Sequence, residues 1–169
     1  MPHETIDASV FSPDVYELLS ILHAENVRFL IVEGEAVIFY GHIRLTGDID
    51  LFYDREPDNA ARLFSALNRF WRGNVPGELS PSILEVQGRI FQFGIPPNRV
   101  DLLNEIDGID FDTAWTNRTA VDLEGPESRI TVNYIGIDEL ILNKRASGRP
   151  KDLDDIPYLI EAQKARAGE

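Results

Sequence analysis

Arg44-Leu45-Thr46-Gly47-Asp48-Ile49-Asp50-Leu51-Phe52 is the stretch whose reading decides the fold. Ile49 and Leu51 alternate with the two aspartates, and the side-chain period of two in a strand puts Asp48 and Asp50 on one face. Neighbouring carboxylates raise each other's proton affinity and repel unless a cation lies between them. A hard divalent ion such as Mg2+ takes oxygen ligands and accepts one or two protein carboxylates alongside substrate phosphates. The pair therefore reads as half of a metal site. A solvated strand end with two acids by chance is the plain alternative.

Further along, Pro96-Pro97-Asn98-Arg99-Val100-Asp101-Leu102-Leu103 supplies a second short apolar strand with an acid inside it. An unpaired charge among Val100, Leu102 and Leu103 is costly. If the two strands are neighbours, Asp101 completes a trio of carboxylates around one or two cations, which suits phosphoryl or nucleotidyl transfer. An ion pair with Arg99 or Arg89 is the competing explanation for Asp101.

Working outward, the chain alternates helix and strand. Ser12-Pro13-Asp14 has the N-cap and N1 proline of a helix start, with Val15, Leu18, Leu19 and Leu22 as its apolar stripe. Residues 28–32 form a continuous apolar run that fits a central strand. A short helix over 34–40 follows, so Glu33-Gly34 forms a strand-to-helix turn, where partial positive charge meets an anion. The acid strand covers 48–53, and an amphipathic helix covers 58–70 with Ala61, Leu63, Phe64 and Leu67 as core. A loop is expected over 73–81, then strands over 83–86, 90–93, 100–103 and 130–134. Helices over 138–146 and 153–163, split by Gly148 and Pro150, close the chain. The expected fold is α/β (α+β): a mixed central sheet flanked by helices, in one domain with a core of about 12–135 and a C-terminal helical segment of about 137–167.

The ordered series Val32-Glu33-Gly34-Glu35-Ala36-Val37, Gly41, Arg44, Thr46 and Asp48-Ile49-Asp50-Leu51 resembles the minimal nucleotidyltransferases of the DNA polymerase β superfamily. The branch it looks most like is that of small bacterial AbiEii-like, toxin–antitoxin-associated proteins. The resemblance continues through Arg99–Leu103 and Asn143–Leu153, spanning about Val27 to Leu159. It implies a nucleotidyltransferase-like fold, metal roles for Asp48, Asp50 and Asp101, and Gly34 as the second residue of the phosphate-receiving turn. Arg44, Thr46, Lys144 and Lys151 are the further phosphate-binding candidates, with Mg2+ (or Mn2+) as cofactor and NTP as substrate. One departure stands out: where the family has its first turn glycine, this chain has Glu33. A glutamate there adds bulk and negative charge where backbone N–H groups would approach a triphosphate.

Two functional readings follow. One is a Mg2+-dependent nucleotidyltransferase moving NMP to a hydroxyl of a tRNA, protein or small-molecule acceptor and releasing pyrophosphate. The other is a catalytically weakened member of the same fold acting through a partner, such as a cognate antitoxin or toxin. A metal-dependent phosphohydrolase ranks last, because His3, His23 and His42 lack metal-ligand spacing.

Composition bounds these readings. The 169 residues are 43% hydrophobic and 27% charged, ordinary for one soluble domain. Without cysteine there is neither a disulfide framework nor a thiolate site. No signal segment or apolar span is visible, so cytoplasm is the expected location and no membrane partner is implied. A net charge of −13 argues against non-specific nucleic-acid binding. The basic stretch from Lys144 to Lys151 is either a solvated helix end or a set of cations facing the acids. The acidic run over 104–113 lacks EF-hand spacing and reads as a solvated connection.

Overall fold

The apolar alternation builds seven strands among the residues described, 3–168, of the computed structural model. They are β1 (Glu4–Asp7), β2 (Phe29–Val32), β3 (Asp48–Tyr53), β4 (Ile90–Phe93), β5 (Arg99–Leu103), β6 (Thr119–Glu124) and β7 (Arg129–Tyr134). Their order across the sheet is β1-β6-β7-β2-β3-β5-β4. The sheet is mixed: β1 with β6, β7 with β2 and β3 with β5 are parallel, while β6/β7, β2/β3 and β5/β4 are antiparallel. Helices α1 (Pro13–Ala24), α2 (Glu33–Phe39), α3 (Pro57–Phe70), α4 (Pro81–Leu84), α5 (Phe111–Thr116), α6 (Ile137–Ser147) and α7 (Pro150–Ala167) complete the α/β fold.

Local chemistry explains the boundaries that matter. Ser12 Oγ accepts the Val15 N–H and Pro13 fills the first turn, so α1 begins there and buries Val15, Leu18, Leu19 and Leu22. All four residues of β2 are buried, as a central strand requires. Each such aliphatic or aromatic side chain contributes about 1.5–3 kcal/mol through burial. Gly148, at φ +64°, stops α6, and its N–H bonds the Lys144 carbonyl. Pro150 then starts α7 at once, so the two C-terminal helices are joined by a tight turn and pack on each other.

Three expectations need correction. Residues 83–86 are not a strand: Ser80 Oγ accepts the Ile83 N–H and Pro81 opens the short helix α4, ending at Leu84. The capping signal outweighs the short apolar run. In α3 the buried positions are Asn59, Ala60, Leu63, Ala66 and Leu67, a stripe that keeps Leu63 and Leu67 but leaves Ala61 exposed and Phe64 only half-buried at its side. The acid-rich run over 104–113 is solvated only in part: Asn104 is buried, its amide donating to Tyr53 Oη and the Val86 carbonyl. Asp110 caps α5 through the Thr113 N–H, so the helix starts inside that run. β1 and β6, a parallel pair at the sheet edge, were not expected at all.

Candidate metal and nucleotide site

Sheet register brings the acids together. β3 and β5 run parallel with Asp50 opposite Asp101 and Asp48 opposite Arg99. Both acid-bearing strands keep their other face in the core through Ile49, Leu51, Val100 and Leu102. Period two then leaves Asp48, Asp50 and Asp101 on the same opposite face. One oxygen from each carboxylate lies within 4.8 Å of the others. Burial first, then the charges of Asp48, Asp101 and Glu33, push the Asp50 carboxyl up to about 7, while Lys151 pulls the other way. Oxygen-only donors, crowded enough for one to hold a proton near neutral pH, fit a hard divalent cation.

Arg99 is the counter-ion present. Its Nε donates to Asp101 Oδ1 at 2.9 Å and its Nη2 to Oδ2 at 3.0 Å, with Asp48 Oδ2 3.7 Å away. The ion pair weighed for Asp101 thus exists alongside the carboxylate cluster. Thr46 Oγ1 donates to the Asp48 backbone carbonyl at 3.0 Å and lies 3.2 Å from its Oδ1, fixing the first acid. Glu35, from the first turn of α2, adds a fourth carboxyl, raised by burial and then by Asp48.

The turn before α2 is closely packed. An added Cβ on Gly34 would lie 3.0 Å from Thr46 Oγ1 and 3.4 Å from Arg44 Nη2, so the loop carrying Arg44 and Thr46 packs directly over that glycine. Glu33 adopts φ +56°, the left-handed region that glycine enters freely and other residues enter at about 1–2 kcal/mol. Its carboxylate is held by Arg149 Nη2 at 3.1 Å and Lys144 Nζ at 3.4 Å.

Those two cations belong to a larger cluster. Lys144, on α6, is completely buried, with Nζ 2.9 Å from Asp152 Oδ1 and 3.3 Å from Asp155 Oδ2. Arg149 Nε donates to Asp152 Oδ2 at 2.7 Å, and Arg44 Nη2 reaches Asp155 Oδ2 at 3.3 Å. Burial alone would raise the Asp152 carboxyl, but hydrogen bonds from Arg149, Lys144 and Ser147 outweigh it and hold it well below the usual range. Asp155 Oδ2 and Arg44 Nε lack an aligned hydrogen bond among the described residues, so charge rather than directed bonding holds that end. His42 sits 3.7 Å from Asp155 and stacks on Tyr158 of α7, with ring centroids also 3.7 Å apart.

Of the residues singled out from sequence, Asp48, Asp50 and Asp101 form one group, and Gly34, Arg44 and Thr46 form another beside it. Lys151 is exposed in the first turn of α7, and Asp50 feels its charge. Lys144 is instead enclosed by three carboxylates. Asp152 and Asp155 were missed as partners, because their contact with Lys144 is made by the packing of α7 on α6 and has no local sequence signal. An open pocket of about 510 Å³, lined by Glu33, Arg89, Ile90, Leu103, Asn143 and Arg149, adjoins this region. A larger one of about 750 Å³, around Phe11, Tyr16 and Glu124, contains none of the clustered acids.

The class, that of a nucleotidyltransferase-type protein, follows from a family match over most of the chain, and the carboxylate cluster is a candidate metal site within it. Residues 14–160 match the family described as nucleotidyltransferase of unknown function (DUF6036), and the chain belongs to that family. Among curated proteins, none matches this chain. No helix among the described residues is long and apolar enough to cross a membrane.

Proposed function

We propose that the protein is a Mg2+-dependent nucleotidyltransferase, acting as one cytoplasmic domain, that moves NMP from an NTP to an acceptor hydroxyl. The observation that carries this is the convergence of Asp48, Asp50 and Asp101 within 4.8 Å in a member of a nucleotidyltransferase family. Asp48 and Asp50 hold the cation, Mg2+ or Mn2+, with Asp101 as third ligand or base. Bound there, the cation supplies charge neutralisation for the triphosphate and acidifies the attacking hydroxyl. The hydroxyl oxygen bonds to the α-phosphorus, the α–β anhydride bond breaks, pyrophosphate leaves, and the hydroxyl proton passes to Asp101. The N–H groups of Gly34 and its neighbours in the first turn of α2 would receive phosphate, with Thr46 and Arg44 packed over the buried Gly34 and Lys151 as the exposed cation. Lys144 acts as a positioning residue, since its ammonium is already committed to Glu33, Asp152 and Asp155. Closer kinship to the AbiEii-like, toxin–antitoxin-associated branch rests on motif order alone.

A second reading, a catalytically weakened module that acts through a protein partner, draws on Glu33. Its carboxylate is tied to Arg149 and Lys144, yet its charge still raises Asp50. Calorimetric titration of each NTP with Mg2+ into wild type and into Asp48→Asn/Asp50→Asn separates the two. Metal-dependent binding lost in the double variant supports the transferase; no binding to either protein favours the partner-binding module.

A further inference from the structure

Two loops frame the acid cluster, and both present aliphatic side chains to water. Ile43 and Leu45, in the loop that leads into β3, are 89% and 98% exposed. Ile95, in the turn that leads into β5, is 78% exposed. Single exposed leucines are ordinary, but three nearly naked aliphatic residues in the two segments that deliver Asp48, Asp50 and Asp101 are not. The loops touch: an added Cβ on Gly47 would lie 3.0 Å from Pro96 Cβ. On the far side of the first loop, His42 stacks on Tyr158, itself 56% exposed. The patch thereby continues onto α7, where Asp154 is exposed at i−4 from Tyr158 on its side of the helix, while Glu161 at i+3 is paired with Lys164 at 3.4 Å.

We propose that Ile43, Leu45, Ile95 and Tyr158 form the docking surface for a polypeptide acceptor, an aliphatic segment flanked by Lys or Arg that presents a Ser, Thr or Tyr hydroxyl to the carboxylates. As an acceptor assignment it rests on the transferase reading; the surface itself does not. Charge selects the partner. A chain of net charge −13 with acids beside the patch repels a polyanion and attracts a basic segment. Side-chain type agrees, because aliphatic knobs fit aliphatic pockets, whereas single-stranded nucleic acid is held by a positive groove and stacking aromatics. Position agrees too: whatever seats on Leu45 and Ile95 lies a few residues along each strand from the acids.

The test uses short synthetic peptides, each with one hydroxyl residue and varied in aliphatic content and net charge, with a single-stranded RNA as competitor class. Retention of the full chain is measured for wild type, for Leu45→Asp/Ile95→Asp and for Asp48→Asn/Asp50→Asn. Both rim positions face solvent, so the first variant should melt with wild type. Aliphatic, basic peptides should bind wild type, bind the rim variant about tenfold or more weakly, the factor one buried leucine commands, and lose much less in the acid variant. No peptide preference, equal retention by the rim variant, or RNA binding through the same residues overturns the proposal. NTP calorimetry on the same samples reports separately on the transferase: peptide retention without nucleotide binding sinks that reading and leaves the surface standing.

Discussion

Replacing Lys144 by Met tests whether the buried charge cluster holds α6 and α7 to the nucleotide turn. Three cations (Lys144, Arg149, Arg44) face three carboxylates (Glu33, Asp152, Asp155). Methionine keeps much of the volume and removes one positive charge from a fully buried position, leaving one carboxylate in excess. Breaking a buried pair by deleting one partner costs about 3–5 kcal/mol, chiefly because the other charge stays buried without compensation. For a chain of this size each kcal/mol lowers Tm by about 2–4 °C, so a loss of about 6–20 °C is expected at neutral pH. Differential scanning calorimetry reads the shift, and a urea melt checks that the slope is unchanged while the midpoint falls. Lys144→Met/Asp152→Asn, which restores the charge balance, should recover part of the loss. A Tm drop of less than about 2 °C would mean that water or a neighbouring cation already compensates the carboxylates, and the positioning role assigned to Lys144 would fall.

Three further outcomes follow from the same geometry. Asp50, raised to about 7 in the fold from an unfolded value near 4, binds a proton more tightly when native. Its destabilising effect is therefore absent below about pH 4 and grows as pH rises to about 7, so Asp50→Asn should gain on the order of a few kcal/mol over metal-free wild type at pH 8 and almost nothing at pH 4. Adding Mg2+ should stabilise wild type and not the variant. Arg99→Gln removes the guanidinium from Asp101 and Asp48; metal-free Tm should fall while Mn2+ binds more tightly by calorimetry. Unchanged Mn2+ affinity would show that Arg99 does not compete for the acids. Glu33→Gly relieves a left-handed φ but strips a carboxylate from Lys144 and Arg149, so a net loss of about 1 kcal/mol should accompany tighter Mg·NTP binding. Affinity that stays put would show that Glu33 is no obstacle to nucleotide.

What could be read from the sequence depended on how local the cause was. β3 is bounded as read, because Asp48-Ile49-Asp50-Leu51 carries its own alternation and both faces have a fate. α1 was equally plain, since Ser12 and Pro13 are a cap and a first-turn residue whatever the rest of the chain does. The Ser80-Pro81 pair carries the same signal, yet its helix is a single turn and the following Ile83-Leu84 suits a strand just as well. β1 is an exposed edge strand of four residues, too short for a pattern; its partner β6 alternates Val121 and Leu123 inward, and that signal was there to use. Within the candidate site the acids were legible because metal chemistry restricts residue types. The Lys144 cluster was not: Lys144 and Glu33 lie 111 positions apart, and only the packing of α6 and α7 on the turn brings them together.

The two charge clusters differ in a way that bears on function. Around Lys144 every carboxylate has a cation, as burial demands of a structural network. At the sheet face the balance is left open: Asp48, Asp50 and Asp101 share one guanidinium, that of Arg99, and Glu35 stands nearby. With all three aspartates ionised, three carboxylates against one guanidinium leave two negative charges, the complement of one divalent cation. In its absence the fold bears the excess by holding a proton on Asp50 near neutral pH. A balanced network around Lys144 beside an under-neutralised, largely buried acid cluster on the sheet is what the proposed cation site calls for.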